Sequence, residues 1–110
     1  MDYKIAYDIQ VEKQLDDSYN YILEHFQSEQ SAKNTIAEIL KNISILKVFP
    51  EAGFDADQRF GRALHPVFKT RGLPLKRDYI ALYIIDEEQK TVLVTYLLPT
   101  KSDYMKLFGK

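Results

Sequence analysis

Lys69 and Arg71 are two basic side chains whose spacing suits work on a common substrate. They stand two positions apart in the stretch 63–71, whose composition is typical of a β-strand. Residues at i and i+2 of a strand point to the same face, so the two cations would share one surface. Cations placed in this way can stabilise the charge of a phosphate group. The same pair on the solvated face of an edge strand would need no function, and the spacing leaves both interpretations open.

The two histidines are the side chains that titrate near neutrality, which makes them candidates for proton transfer. His65 lies near the basic stretch and is the better candidate. His25 is expected at the C-terminal end of a helix, where a cation suits the dipole. The chain has no cysteine, which excludes disulfides and zinc–thiolate sites. Asp55 and Asp57 lack partner ligands in the sequence, so we predict neither a metal site nor a cofactor.

The formal net charge of −1 conceals an uneven distribution along the chain. Residues 1–57 carry five Lys/Arg and eleven Asp/Glu, which gives 5 − 11 = −6. Residues 58–110 carry ten Lys/Arg and five Asp/Glu, which gives 10 − 5 = +5. Such asymmetry can mark a surface that binds a polyanion, although the two halves can equally attract one another within the fold.

The length of 110 residues is typical of a single domain, here 1–110, and 45% of the residues are hydrophobic, which argues against disorder. The first residues lack the basic and apolar regions of a secretory signal. The longest apolar stretches are far too short to cross a bilayer. We therefore expect a cytoplasmic protein that does not bind membranes.

The N-terminal half predicts a strand followed by a helical hairpin. Tyr3–Gln10 alternates apolar and polar residues as a half-buried strand does. Apolar residues then recur every three or four positions from Val11 to Phe26, with Asp8 as the better N-cap type. Ser28 is the expected N-cap of a second helix, and Pro50 with Gly53 would enforce its end.

The C-terminal half predicts an irregular loop at 54–62 and then three strands. The expected strands are 63–71, 79–85 and 91–98, and the polar residues 86–89 suit a hairpin loop between the last two. Gly72-Leu73-Pro74 reads as a turn. Val92–Leu98 is apolar almost throughout, which favours an interior strand. Ser102 or Asp103 then precedes Tyr104, Leu107 and Phe108 at helical spacing. The predicted class is α+β, with the order β-α-α-β-β-β and an antiparallel-rich sheet packed against the helical hairpin.

This order of elements and three local segments resemble the RelE/ParE toxins of type II toxin–antitoxin systems. The segments are Asp78–Asp86, Leu97-Leu98 with Thr100–Tyr104, and Leu46–Gly53, in which a helix end runs into Phe-Pro-x-x-Gly. The resemblance covers essentially the whole chain. It implies a toxin held inactive by a cognate antitoxin, a small acidic or basic-acidic chain lying across the helices and the basic sheet. One branch of the family cleaves mRNA on the ribosome, and the ParE branch poisons DNA gyrase without known nuclease activity.

The resemblance also assigns site residues for the ribosome and mRNA branch. In that branch, metal-independent cleavage relies on Lys, Arg and Tyr side chains that activate the ribose 2′-hydroxyl and stabilise the phosphate. The residues implied as catalytic are Lys69, Arg71, Lys101 and Tyr104. The residues expected to bind nucleic acid are Lys69, Arg71, Lys76, Arg77 and Lys101. Lys76 and Arg77 match no family position and are included because, from the adjacent turn, they could substitute for a missing arginine.

Two departures from the pattern favour the alternatives. Ile80 and Ser102 stand where the nuclease branch has arginines, which would leave the developing phosphate charge less stabilised. The alternatives are a gyrase inhibitor that acts by binding, and a degenerate domain that only binds its antitoxin.

Overall fold

The computed structural model describes residues 2–75 and 79–100 and forms an α+β fold. The elements in chain order are β1 Lys4–Tyr7, α1 Ile9–Phe26, α2 Glu29–Ile43, a 3-10 turn Ser44–Lys47, β2 Phe54–Asp55, α3 Ala56–Phe60, β3 Arg71–Pro74, β4 Tyr79–Asp86 and β5 Thr91–Pro99.

The five strands form one mixed sheet in the order β1-β5-β4-β3-β2. β1 runs parallel to β5, while the pairs β5–β4, β4–β3 and β3–β2 are antiparallel. The apolar β5 therefore lies inside the sheet, as its composition predicts. Its pairing with β4 shifts register between Leu82 and Tyr83, where Thr95 is an extra residue on β5.

The helical hairpin forms because both helices carry their own caps. The Asp8 carboxylate accepts a hydrogen bond from the Gln10 N–H at the start of α1, and the Ser28 hydroxyl accepts from the Ser31 N–H at the start of α2. Gln27 joins the helices in the left-handed conformation with φ 49°. The expected caps at Asp8 and Ser28 are confirmed.

Apolar side chains cover both faces of the sheet. The larger cluster joins α1, α2 and the 3-10 turn to the inner face of β4 and β5. The smaller cluster lies on the opposite face, where α3 packs against β4 and β5. Tyr83 belongs to the first cluster and Leu82 to the second, as alternation along a strand requires.

Residues 61–74 differ from the sequence-based expectation. The predicted strand 63–71 is wrong: 61–70 is an irregular loop, and β3 is formed by Arg71–Pro74, which includes the predicted turn. The backbone N–H groups of Leu64 and Thr70 donate to the Asp57 carboxylate, so the loop does not need a sheet partner for them. The predicted loop 54–62 in turn contains β2 and α3, with Ala56 and Phe60 buried.

Two glutamines of α1 extend the sheet where β1 ends. β1 pairs with β5 only as far as Tyr7 and Val94. Beyond that point the Gln10 amide donates to the Thr95 carbonyl. The Gln14 amide both donates to the Leu97 carbonyl, at 2.7 Å, and accepts from the Leu97 N–H, at 2.8 Å. These side chains fix α1 alongside β5.

Candidate functional site

The Tyr83 hydroxyl is the centre of a buried hydrogen-bond network that holds the Pro50–Gly53 turn against the sheet. It donates to the Pro50 carbonyl at 2.7 Å and accepts from the Gly53 N–H at 2.9 Å. The Arg71 guanidinium donates to the carbonyls of Gly53, at 2.8 Å, and Glu51, at 3.1 Å. Tyr83 and Arg71, both on strands, thereby form hydrogen bonds with backbone groups of a turn that is not itself part of the sheet.

Arg71 therefore faces the same side of the sheet as the helices. It pairs with Tyr83 across β3 and β4, and directly opposed residues share one face. Lys69 lies outside β3, exposed in the preceding loop. The expectation that Lys69 and Arg71 share a strand face is wrong, because the strand begins only at Arg71.

The loop at 61–70 is held in place by two side chains. The Asp57 carboxylate accepts from the N–H groups of Leu64 and Thr70, at 3.0 and 3.2 Å. His65 Nδ1 accepts from the N–H groups of Val67 and Phe68, at 3.0 and 3.1 Å. Because Nδ1 serves as an acceptor, a neutral His65 carries its proton on Nε2, which is left as a donor.

A cleft of about 350 Å³ lies between this loop and the start of α1, on the sheet face opposite the helical hairpin. We call it the open-face cleft. Its lining residues are Asp8, Gln10, Leu64, His65, Thr70, Leu82, Leu93, Thr95 and Tyr96. Arg71 is not among them. The cleft combines polar groups with the rings of His65 and Tyr96 and with three leucine side chains. Lys69 directly precedes the lining residue Thr70 in the sequence.

An apolar patch is exposed in the 3-10 turn that follows α2 and in the residues just after it. Its members Ile45, Val48 and Phe49 are 45%, 59% and 62% exposed. They border a cavity of about 540 Å³ that Tyr3 and Pro50 also line. Clustered exposed apolar residues of this kind are typical of a protein-binding surface.

The remaining candidates are distributed as follows. Lys76, Arg77, Lys101 and Tyr104 lie outside the described residues, as does Ser102. Ile80 is buried in the smaller apolar cluster. His25 is exposed in the last turn of α1, as expected, and stacks on Tyr21 with ring centroids 3.9 Å apart. Within 2–75 and 79–100, no three His, Asp or Glu side chains are grouped to hold a metal ion.

The pH dependence of stability should report on the buried Tyr83 hydroxyl. Burial raises the pKa of Tyr83 above its ordinary value of 10.0. The unfolded chain then loses this proton at a lower pH than the folded chain, so the stabilisation is complete below pH ~10 and is lost as pH rises above it. We expect the free energy of unfolding, measured by urea denaturation, to fall more steeply above pH ~10 in the native protein than in Tyr83→Phe. Burial also raises the pKa of Tyr7, but Tyr7 is present in both proteins and does not affect the comparison. Equal slopes of the free energy of unfolding against pH in the two proteins would contradict this assignment.

The sequence did not reveal the roles of Tyr83, Gln14 and Asp57. A signal for Tyr83 was present, since a hydroxyl within the apolar stretch 79–85 requires a buried partner. Gln10 and Gln14 stand four apart beside the apolar stripe of α1, which is a weaker signal. Nothing local to Asp57 indicated that its carboxylate would bind the backbone as far away as Thr70.

Comparisons with known proteins agree with this geometry. The family model described as "ParE toxin of type II toxin-antitoxin system, parDE" matches residues 5–104. A solved structure entitled "Chromosomal ParDE TA system from P. aeruginosa" has the same fold, with a TM-score of 0.67 and 11% sequence identity, covering 90% of this chain and 97% of that chain. No curated protein matches the sequence. Within 2–75 and 79–100, no helix is long and apolar enough to cross a membrane. With the family model matching nearly its whole length, the chain belongs to the ParE toxin family of type II toxin–antitoxin systems.

Proposed function

We propose that this chain inhibits growth by binding DNA gyrase, without catalysing a reaction of its own, and that a cognate antitoxin neutralises it. Membership of the ParE family supports gyrase as the target, since the ParE branch acts on that enzyme. The fold alone does not assign a target, so the side chains of the site carry the rest of the argument.

The observation that carries the proposal is the position of Arg71. A metal-independent nuclease needs a cation beside the scissile phosphate. The Arg71 guanidinium instead donates to two carbonyls of the Pro50–Gly53 turn, on the side of the sheet that the helices cover. Ile80, where the nuclease branch has an arginine, is 6% exposed and packs among apolar side chains. A surface that acts only by binding its target needs neither a reactive position for Arg71 nor an arginine at position 80.

The apolar patch of Ile45, Val48 and Phe49 supports a protein partner. Exposed apolar side chains around a cavity provide the kind of contact that anchors a protein interface. The antitoxin of such a pair is a small chain, and partners of this type often fold on binding. We propose that this patch forms part of the surface to which the antitoxin binds.

Stoichiometry separates a binding inhibitor from an enzyme. Purified protein titrated into a DNA supercoiling reaction should inhibit gyrase in proportion to the toxin-to-gyrase ratio, with inhibition complete near equivalence when both exceed the Kd. On programmed ribosomes, the same protein in excess should leave the mRNA intact. Addition of the antitoxin should restore supercoiling.

Two results would contradict the proposal. One is normal supercoiling in the presence of a large excess of folded toxin. The other is cleavage of mRNA by substoichiometric toxin, because turnover is the property of a catalyst. Ile45→Ser with Phe49→Ser tests the antitoxin surface separately: it should weaken neutralisation, and Val67→Ser, also on an exposed apolar residue, is the matched control.

The second candidate is ribosome-dependent mRNA cleavage by Lys69, Lys101 and Tyr104, with Lys76 and Arg77 binding the RNA. One observation favours it: Lys69 is exposed in the loop whose His65 and Thr70 line the open-face cleft. For this candidate, Lys69→Ala should slow mRNA cleavage by about 10²-fold, the usual effect of removing one transition-state contact, without changing stability. Arg71→Ala is not a clean test of it, since that change also frees the Pro50–Gly53 turn.

A further inference from the structure

α1 continues beyond the point where it meets the end of β4 and β5, and a groove lies beside it there. Gln10 and Gln14 fix α1 beside Thr95 and Leu97 of β5. One turn later, Ser18 Oγ lies 2.9 Å from the Tyr79 hydroxyl, and Tyr79 pairs with Pro99 at the end of β5. The part of α1 beyond Ser18, 26 − 18 = 8 residues, is about 12 Å long.

The groove has a volume of about 410 Å³, and most of the surface that lines it is apolar. It is lined by Asp17, Ser18, Tyr21, Ile22, Thr35 and Tyr79. Tyr21 is 57% exposed, and Phe26 at the end of the same helix is 67% exposed. We call this feature the tail groove.

We propose that the C-terminal segment of this chain, residues 101–110, binds in the tail groove. The end of β5 lies beside the groove, because Pro99 pairs with the groove residue Tyr79. Ten residues span about 15 Å as a helix, which matches the length of α1 beyond Ser18. Tyr104, Leu107 and Phe108 stand at i, i+3 and i+4, the spacing that places three apolar side chains on one face.

Charge supports the same occupant. From position 16 to its end at Phe26, α1 carries Asp16, Asp17 and Glu24 and no Lys or Arg. The segment 101–110 carries three Lys, at positions 101, 106 and 110, and one Asp, at position 103, so that 3 − 1 = +2. The acidic and basic halves of the sequence would then attract one another within the fold.

The absence of cysteine from the natural chain makes disulfide trapping a direct test. In Thr35→Cys with Leu107→Cys, one sulfur lies in the groove and the other on the apolar face of the segment. The matched control is Val67→Cys with Leu107→Cys, since Val67 is 78% exposed in the loop at 61–70. We expect an intramolecular disulfide to form about ten-fold faster or more in the first pair, because the bond requires Cα atoms within about 7 Å of each other.

Equal rates in the two pairs would overturn the proposal, and so would a disulfide between two molecules, which would identify a second copy as the occupant.

Hydrogen exchange gives an independent measurement on full-length protein. Leu107→Ser with Phe108→Ser should speed exchange of the amides of residues 22–26 by about ten-fold or more, since these amides would lose their cover. Lys106→Ser should not. Unchanged exchange in the double variant would also overturn the proposal. None of these measurements depends on the gyrase assay.

Discussion

Gly53→Ala is expected to lower the free energy of unfolding by about 3 kcal/mol, at the upper end of the usual cost of overpacking. A Cβ at this position would lie 2.6 Å from the Gly72 carbonyl oxygen and 2.8 Å from the Tyr83 hydroxyl oxygen. Neither atom can move freely. Gly72 is paired on both sides, with Phe54 and Leu82, and the Tyr83 hydroxyl is fixed by its bonds to the turn. Urea denaturation of the purified variant measures the change.

Gly61→Ala is the matched control for this substitution. Gly61 ends α3 with φ 73°, and apart from its chain neighbours no residue that the structure describes has an atom within 4 Å of the position that a Cβ would take. The cost there should be only backbone strain, about 1–2 kcal/mol. If Gly61→Ala destabilises as much as Gly53→Ala, close packing of the turn against the sheet is not what requires glycine at position 53.

Gln14→Met is expected to lower the free energy of unfolding by about 2–6 kcal/mol, since about 1–3 kcal/mol is lost for each of the two buried polar groups left without a partner. Methionine keeps the length of the side chain and removes both of its hydrogen bonds. The N–H and the carbonyl of Leu97 would then have no strand beside them, because β1 has ended. Leu97 is fully buried, so water has poor access to replace the lost bonds.

Gln10→Met provides the comparison, because Gln10 is exposed and its side-chain amide donates to the Thr95 carbonyl. Its cost should be about 1 kcal/mol or less, since water can reach the freed carbonyl. Similar losses for the two variants in chemical denaturation would show that burial of the Leu97 backbone is unimportant.

Arg71 shows why loss of toxicity is not by itself evidence of catalysis. Removal of its guanidinium leaves the Glu51 and Gly53 carbonyls without their donor, and Tyr83 without a neighbour that helps to fix the turn. A toxicity assay on Arg71→Ala therefore needs a stability measurement beside it. Lys69→Ala carries no such ambiguity, because Lys69 is exposed in its loop.

The sequence by itself determined the helical hairpin, its caps at Asp8 and Ser28, and the hairpin of β4 and β5. These features depend on interactions within a few residues: a side chain that accepts from the next turn, an apolar stripe at helical spacing, a polar loop between two apolar strands. Family membership was also accessible, because it rests on the order of such elements along the whole chain.

Only the tertiary structure decided where β3 begins and what Arg71 does. The loop at 61–70 has strand composition, but the Asp57 carboxylate satisfies its Leu64 and Thr70 amides, and this contact depends on α3 being in place. Arg71 and Tyr83 meet the Pro50–Gly53 turn across 18 to 33 positions of sequence. Such contacts form only after the sheet has brought distant backbone groups together, and a buried carbonyl or amide then binds whichever side chain is within reach. Arg71, two positions from Lys69, thus stabilises the Pro50–Gly53 turn, a role that the spacing of the two residues does not predict.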